Sequence, residues 1–160
     1  MAKSTPATVA LRAARVDFEL FEYAYDPDAE KIGLHAAESL GAPPSTVLKT
    51  LIVRVDGRPC CVVLPSDREA SMKKVAAAFG GKAAEMSKPA EAERITGYRI
   101  GGVSPFGQRK RLPTVIEAAA LDHPAVFVNG GQRGLQIRLD PRQLATALDA
   151  STAPIAAWGG

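Results

Sequence analysis

This 160-residue chain has two cysteines and two histidines, and little else for thiol, imidazole or metal chemistry. Cys60 and Cys61 are neighbours. Adjacent strand residues face opposite ways, so the two make neither a disulfide nor a metal pair. His35 and His123 lie far from any Ser or Cys in a nucleophile signature, which argues against a Ser-His-Asp triad. No clustering of Cys, His and carboxylate has zinc spacing. The loops G-x-x-x-x-G-K-[ST] and G-x-G-x-x-G are both missing, which removes the common routes to nucleotide hydrolysis and dinucleotide binding. Aromatic residues make up only 6% of the chain. None interleave with basic ones, so a base-stacking surface has little to build on. No apolar run approaches a membrane span, and the N-terminus shows no apolar stretch with a cleavage site. The expectation is a protein of the reducing cytoplasm, without metal or cofactor and away from the membrane. An enzyme with this inventory must work by positioning, by backbone donors and by at most one lysine.

What is present suits one domain over residues 1–160. The hydrophobic fraction is 46% and the net charge +3. A length of this order gives an adequate core. The mild basicity is compatible with nucleic acid. Ser4-Thr5-Pro6 reads as a cap and helix start. A strand is expected over 18–23, a helix over 34–40 stopped by Gly41, and a strand over 47–55 turned by Asp56-Gly57 into its partner at 58–64. A helix over 70–79, a strand over 83–86 and a helix capped by Ser87 follow. Strands over 114–118, 125–129 and 135–139 precede a helix opened by Asp140-Pro141. The tail after Ser151 is expected to fray. Helices and strands interspersed with hairpins predict an α/β chain of the α+β type, with a mixed sheet.

Two features point to a site. Gly101-Gly102-Val103-Ser104-Pro105-Phe106-Gly107-Gln108-Arg109-Lys110-Arg111 joins a glycine-rich stretch to a run of cations. Glycines let backbone approach a ligand and free its amides, and cations suit phosphates. An ordinary loop with a solvated basic end has the same composition. The second feature is Lys49, which shares a strand face with Val47, Leu51, Val53 and Val55. A buried ammonium is costly unless paired. Lys49 either stands at the mouth of a pocket or snorkels to water at a strand end. The residues alone support both.

Lys49-Thr50-Leu51, Gly97-Tyr98, the 101–111 segment and Gly130-Gly131-Gln132-Arg133-Gly134-Leu135 occur in this order. So arranged, the chain resembles the YbaK/EbsC family of aminoacyl-tRNA deacylases, from about Pro6 to Leu148. These are free-standing relatives of the editing domain of bacterial prolyl-tRNA synthetase. The resemblance implies a strongly curved mixed sheet flanked by helices. It also implies clearance of mischarged Cys-tRNA(Pro), and transient association with prolyl-tRNA synthetase. It makes Lys49 essential and places the Gly101–Pro105 loop at the aminoacyl group, with amides of Gly101 and Gly102 stabilising the oxyanion. Tyr23, Ile32, Thr50, Ser104, Pro105, Asn129, Gly130 and Gly131 are then expected at the substrate, and Arg109, Lys110 and Arg111 on tRNA phosphates. Asn129 and Ile32 depart from the family's frequent Ser and Phe, which leaves the amino-acid specificity open. A deacylase for another small amino acid such as alanine, or a non-catalytic tRNA-binding module, would present similar residues.

Overall fold

Asp56 and Gly57 have φ of 51° and 82°, the two left-handed residues that a tight type I′ hairpin needs. They join β2 (Leu48–Val55) to β3 (Arg58–Pro65), paired antiparallel along their whole length. This hairpin is the centre of the computed structural model, which describes residues 4–29 and 31–157. In chain order, α1 (Pro6–Ala13), β1 (Glu19–Glu22) and α2 (Ile32–Leu40) precede the hairpin. After it come β4 (Glu69–Ala70), α3 (Met72–Ala78), β5 (Ala84–Met86), α4 (Pro89–Thr96) and β6 (Thr114–Glu117). The chain ends with β7 (Val126–Asn129), β8 (Leu135–Leu139), α5 (Pro141–Leu148), β9 (Ser151–Ala153) and β10 (Ala156–Ala157).

The expected mixed α/β architecture is present, with its strands distributed among three sheets. A five-stranded sheet has the order β5-β2-β3-β6-β9, antiparallel on the β2 side and parallel from β3 to β9. A three-stranded antiparallel sheet has the order β1-β8-β7, and β10 pairs with β4. A single parallel bridge, Val47 to Phe127, joins the first two sheets. The two sheets therefore meet where β2 begins.

Both faces of β2 carry buried residues. Leu48 and Ile52 enter the main core with Leu11, Cys61, Ile116, Ile137 and Leu144. Val53 and Val55 pack with Cys60, Leu64, Val75 and Ile155 beneath α3. Each such fully buried aliphatic side chain contributes roughly 1.5–3 kcal/mol. Arg54 chelates Glu91 of α4 with both guanidinium arms. Cys60 and Cys61 do face opposite cores.

The helix ends follow local chemistry. Thr5 accepts from the Thr8 amide at 3.1 Å while Thr8 Oγ1 accepts from the Thr5 amide at 2.9 Å, a reciprocal cap. Asp140 caps α5 through the Arg142 amide at 2.8 Å. Ser87 does not cap α4, contrary to the sequence signal: the helix starts at Pro89, whose fixed φ sets its first turn, with Lys88 before it.

Residues 151–157 do not fray, and 158–160 lie outside the described residues. Ser151–Ala153 adds a parallel strand beside β6, and Ile155 and Ala156 are fully buried. The cause is Glu117, only 2% exposed. Its Oε1 accepts from the amides of Ile155 and Ala156, each at 2.9 Å, and its Oε2 from Ala119 at 2.8 Å. A carboxylate among backbone donors makes strong, charge-assisted bonds. Glu117→Ala should strand those amides and release residues 151–157, lowering stability by about 2–4 kcal/mol. Urea unfolding and limited proteolysis read this; a variant with wild-type stability and a protected tail would contradict it.

Candidate functional site

A cavity of about 410 Å³ opens at the seam where the two sheets meet. That volume lies in the range of small-molecule sites. Its floor is Val47 and the start of β2: Leu48, Lys49, Thr50 and Leu51 all line it, so residues of both strand faces reach it. The first turn of α2 supplies Ile32, Gly33 and Leu34, with Lys31 before it. Gly33 is needed there, because a Cβ would lie 2.7 Å from Ser66 Oγ. Ser66, Asp67 and Glu69 line the side beyond β3, and Ile100, Gly101 and Val103 close the opposite side. Tyr23, Asn129 and Gln136 complete the wall from the three-stranded sheet.

Lys49 stands in this wall and holds no ion pair among the described residues. Partial burial pulls its ammonium below the ordinary lysine range; Lys31 adds to that, while Glu69 and Asp67 oppose it. Tyr23 is steadied by His35, whose ring lies edge-on at 6.0 Å and whose Nε2 is 3.0 Å from the Ala24 carbonyl. Burial first pushes the Tyr23 hydroxyl upward, with nearby Gln136 pulling the other way. Even so, Tyr23 Oη, Thr50 Oγ1 and Gln136 Oε1 complete no hydrogen bond with good geometry among the described residues.

The glycine loop is built mainly by packing. Gly101 has φ of 91° in a turn closed by the Gly102 amide on the Arg99 carbonyl at 2.8 Å. The Gly102 amide is therefore spent, which corrects its expected oxyanion role. The Gly101 amide donates to no acceptor among the described residues. Gly107 lies so close to α1 that a Cβ would fall 2.4 Å from the Pro6 carbonyl oxygen. Tyr98 donates to the Phe106 carbonyl at 2.6 Å, and burial pushes its hydroxyl up to about 12. Asn129 links this loop to the next one. Its Nδ2 donates to Gly101 O at 3.1 Å, and its Oδ1 accepts from the amides of Gly131 at 2.7 Å and Gln132 at 3.2 Å.

Of the residues expected at the site, the cavity brings together Tyr23, Ile32, Lys49, Thr50, Gly101 and Asn129. Gly102, Ser104, Pro105, Gly130 and Gly131 are not in its wall. Ser104 is fully buried, accepts from the Phe106 amide at 3.2 Å, and its carbonyl takes Gln108 Nε2 at 3.0 Å. Gly130 O accepts from Thr5 Oγ1 at 2.6 Å, which ties the second glycine turn to α1. Pro105 and Arg111 line a separate groove of about 200 Å³ beside α1 and α5. Arg109 and Lys110 are exposed, their amides bound to the Thr96 and Ile95 carbonyls at the end of α4. Arg111 lies 3.9 Å from Asp149, both largely exposed. The basic run is thus off the cavity, whereas Arg133 approaches the Gly101 turn, donating to Ile100 O at 2.9 Å and lying over Tyr25 at 5.1 Å.

Sequence reasoning missed Lys31, Ser66, Asp67, Glu69 and Gln136. Only Gln136 carried a usable signal, as an uncharged polar residue inside an otherwise apolar strand. Among the described residues no cluster of three His, Cys, Asp or Glu could hold a metal ion.

Two predictions follow from the electrostatics. A lysine whose folded pKa is lowered destabilises the fold while protonated, and that penalty vanishes above its unfolded value. Lys49→Met should therefore raise stability at neutral pH, with the gain shrinking as pH climbs through the lysine range. Unfolding titrations at several pH values check this; a loss of stability at pH 7 would contradict it. Burial pushes the Cys61 thiol up to about 12, and Cys60 is raised for the same reason. Iodoacetamide should leave both unmodified in the native protein at pH 7.5, since the thiolate is the nucleophile. Rapid native labelling would contradict this.

The profile of the aminoacyl-tRNA editing domain matches residues 26–147. The Enterococcus faecalis protein named "Putative Cys-tRNA(Pro)/Cys-tRNA(Cys) deacylase EbsC" is 35% identical over 145 residues, covering 88% of this chain and 86% of that one. Proline–tRNA ligase of Acidithiobacillus ferrooxidans is 31% identical over 85 residues, 53% of this chain and 15% of the ligase. A crystal structure described as "a putative trans-editing enzyme for prolyl tRNA synthetase" superposes with a TM-score of 0.80 at 22% identity, covering 98% of this chain and all of that one. That structure speaks for the fold, and the sequence matches speak for descent: the chain belongs to the aminoacyl-tRNA editing domain family.

Proposed function

We propose that this protein is an aminoacyl-tRNA deacylase acting in trans on mischarged Cys-tRNA(Pro). The observation that carries the reading is one cavity walled by a partly desolvated lysine, a glycine turn with a spare amide and buried oxygens, in a chain of the editing family. The name of the E. faecalis relative supports the same substrate.

The chemistry needs no protein nucleophile. The cysteinyl thiol attacks its own ester carbonyl: an S–C bond forms, the ester C–O bond breaks, and the thiol proton goes to the departing ribose hydroxyl. The amino acid leaves as a cyclic thiolactone. Intramolecular attack of this kind gains on the order of 7–11 kcal/mol from orientation in the best cases. The Gly101 amide is the candidate oxyanion donor, a contribution of roughly 3–4 kcal/mol. Lys49 holds the terminal ribose against the turn, and Ile32 and Leu34 limit the side chain that fits. Arg109, Lys110 and Arg111 meet tRNA phosphates outside the cavity, and prolyl-tRNA synthetase is the expected transient partner.

A panel of Cys-, Ala- and Pro-tRNA(Pro) tests the substrate. Rapid loss of cysteine alone is expected; alanine cleavage would require an activated water and a different reading. Lys49→Ala should lower kcat/KM for Cys-tRNA(Pro) at least about a hundredfold with the fold intact. Near-normal turnover would remove Lys49 from the site. The triple Arg109/Lys110/Arg111→Ala protein should bind tRNA more weakly, with a flatter salt dependence and little change in kcat. Equal affinity and parallel salt slopes would show that the run is not part of the RNA surface.

A further inference from the structure

Tyr23 Oη, Thr50 Oγ1 and Gln136 Oε1 are buried in the cavity wall and complete no well-aligned hydrogen bond among the described residues, although the Tyr23 hydroxyl lies close to the Gln136 amide. They come from three separate strands or strand ends, yet they face one space. Gln136 is only 4% exposed. It pairs with Phe21 across the β1–β8 ladder. Cross-strand partners point to the same side of a sheet, and Tyr23 shares that side two residues beyond Phe21. Native folds rarely leave buried polar atoms unmatched, and three in one cavity are best explained by a ligand that completes them.

The atom types restrict that ligand. An amide oxygen can only accept, so Gln136 Oε1 requires a donor. The two hydroxyl oxygens can accept as well. The carbonyl and ester oxygens of an aminoacyl ester are acceptors and cannot serve. Side-chain donors vary from one amino acid to another. The α-ammonium is the one multiple donor that every aminoacyl ester has. Asp67 and Glu69 line the same cavity and offset its charge.

We propose that Tyr23, Thr50 and Gln136 form a cradle for the protonated α-amino group of the substrate, with Gln136 Oε1 as its obligatory acceptor. This rests on the aminoacyl-ester reading of the cavity and deepens it. The carbonyl end then points to Gly101 and Lys49. The site therefore reads a free amine: it takes aminoacyl esters and spares those whose nitrogen is acylated.

The test is a binding comparison that needs neither tRNA nor turnover. L-Cysteine methyl ester and N-acetyl-L-cysteine methyl ester are titrated calorimetrically into the wild type, Gln136→Leu and Gln136→Glu. A charge-assisted hydrogen bond corresponds to about tenfold to a hundredfold in affinity. The wild type should prefer the free amine by at least that factor. Gln136→Leu should lose most of the preference, through weaker binding of the free ester alone. Gln136→Glu should keep it, because a carboxylate oxygen replaces the amide oxygen. Should Gln136→Leu not fold, the wild-type ratio and the Glu variant still decide. Equal wild-type affinity for the two esters, an unchanged preference in Gln136→Leu, or its loss in Gln136→Glu would overturn the cradle. A wild type that prefers the free ester but deacylates no aminoacyl-tRNA would uphold the cradle and overturn the deacylase reading instead.

Discussion

The side-chain amide of Asn129 holds two glycine turns against each other, and the cavity depends on that link. Its Nδ2 fixes the Gly101 carbonyl and its Oδ1 gathers the Gly131 and Gln132 amides. Gly102 sits so close to this second turn that a Cβ would lie 3.0 Å from the Arg133 amide. Backbone approaching backbone at that distance requires glycine on one side and an in-plane polar crosslink on the other. Asn supplies a donor and an acceptor in one rigid group, and both are used here. The contact orients the Gly101 turn at the cavity wall, opposite the β2 floor.

The seam between the sheets explains why the site lies there. Among the described residues the Val47–Phe127 bridge is the strand pairing that connects the five-stranded and three-stranded sheets, and side chains of both faces of β2 line the cavity beside it. The resulting space is lined by strand residues on one side and by turns on the other. Rigid strands place Lys49, Thr50 and Gln136, whereas the turn contributes backbone. Such a division suits a reaction that needs orientation and a backbone donor more than a reactive side chain.

What could be read from the sequence was local. Asp56-Gly57, Thr5-Pro6 and Asp140-Pro141 specify their own turns and caps within four residues, and the structure has each of them. Lys49 was legible because a cation within an apolar strand contradicts its surroundings. The tail was not legible: Glu117 captures amides almost forty residues further along the chain, and nothing beside Ile155 announces it. The glycine loop was legible as a candidate site but not in detail. Its composition could not distinguish amides free for a ligand from amides already bound, such as that of Gly102. Asp67, Glu69 and Gln136 join the wall only through the meeting of the two sheets, a tertiary event with no sequence period.

The account's central claim is that the seam cavity holds the aminoacyl end of a tRNA. The most direct measurement is a crystal structure with a non-hydrolysable analogue, 3′-cysteinylamino-3′-deoxyadenosine. The account predicts its aminoacyl group between Lys49, the Gly101 turn and Gln136, with the ribose toward Lys49. Density for the aminoacyl group elsewhere, such as in the groove beside Pro105 and Arg111, would contradict it.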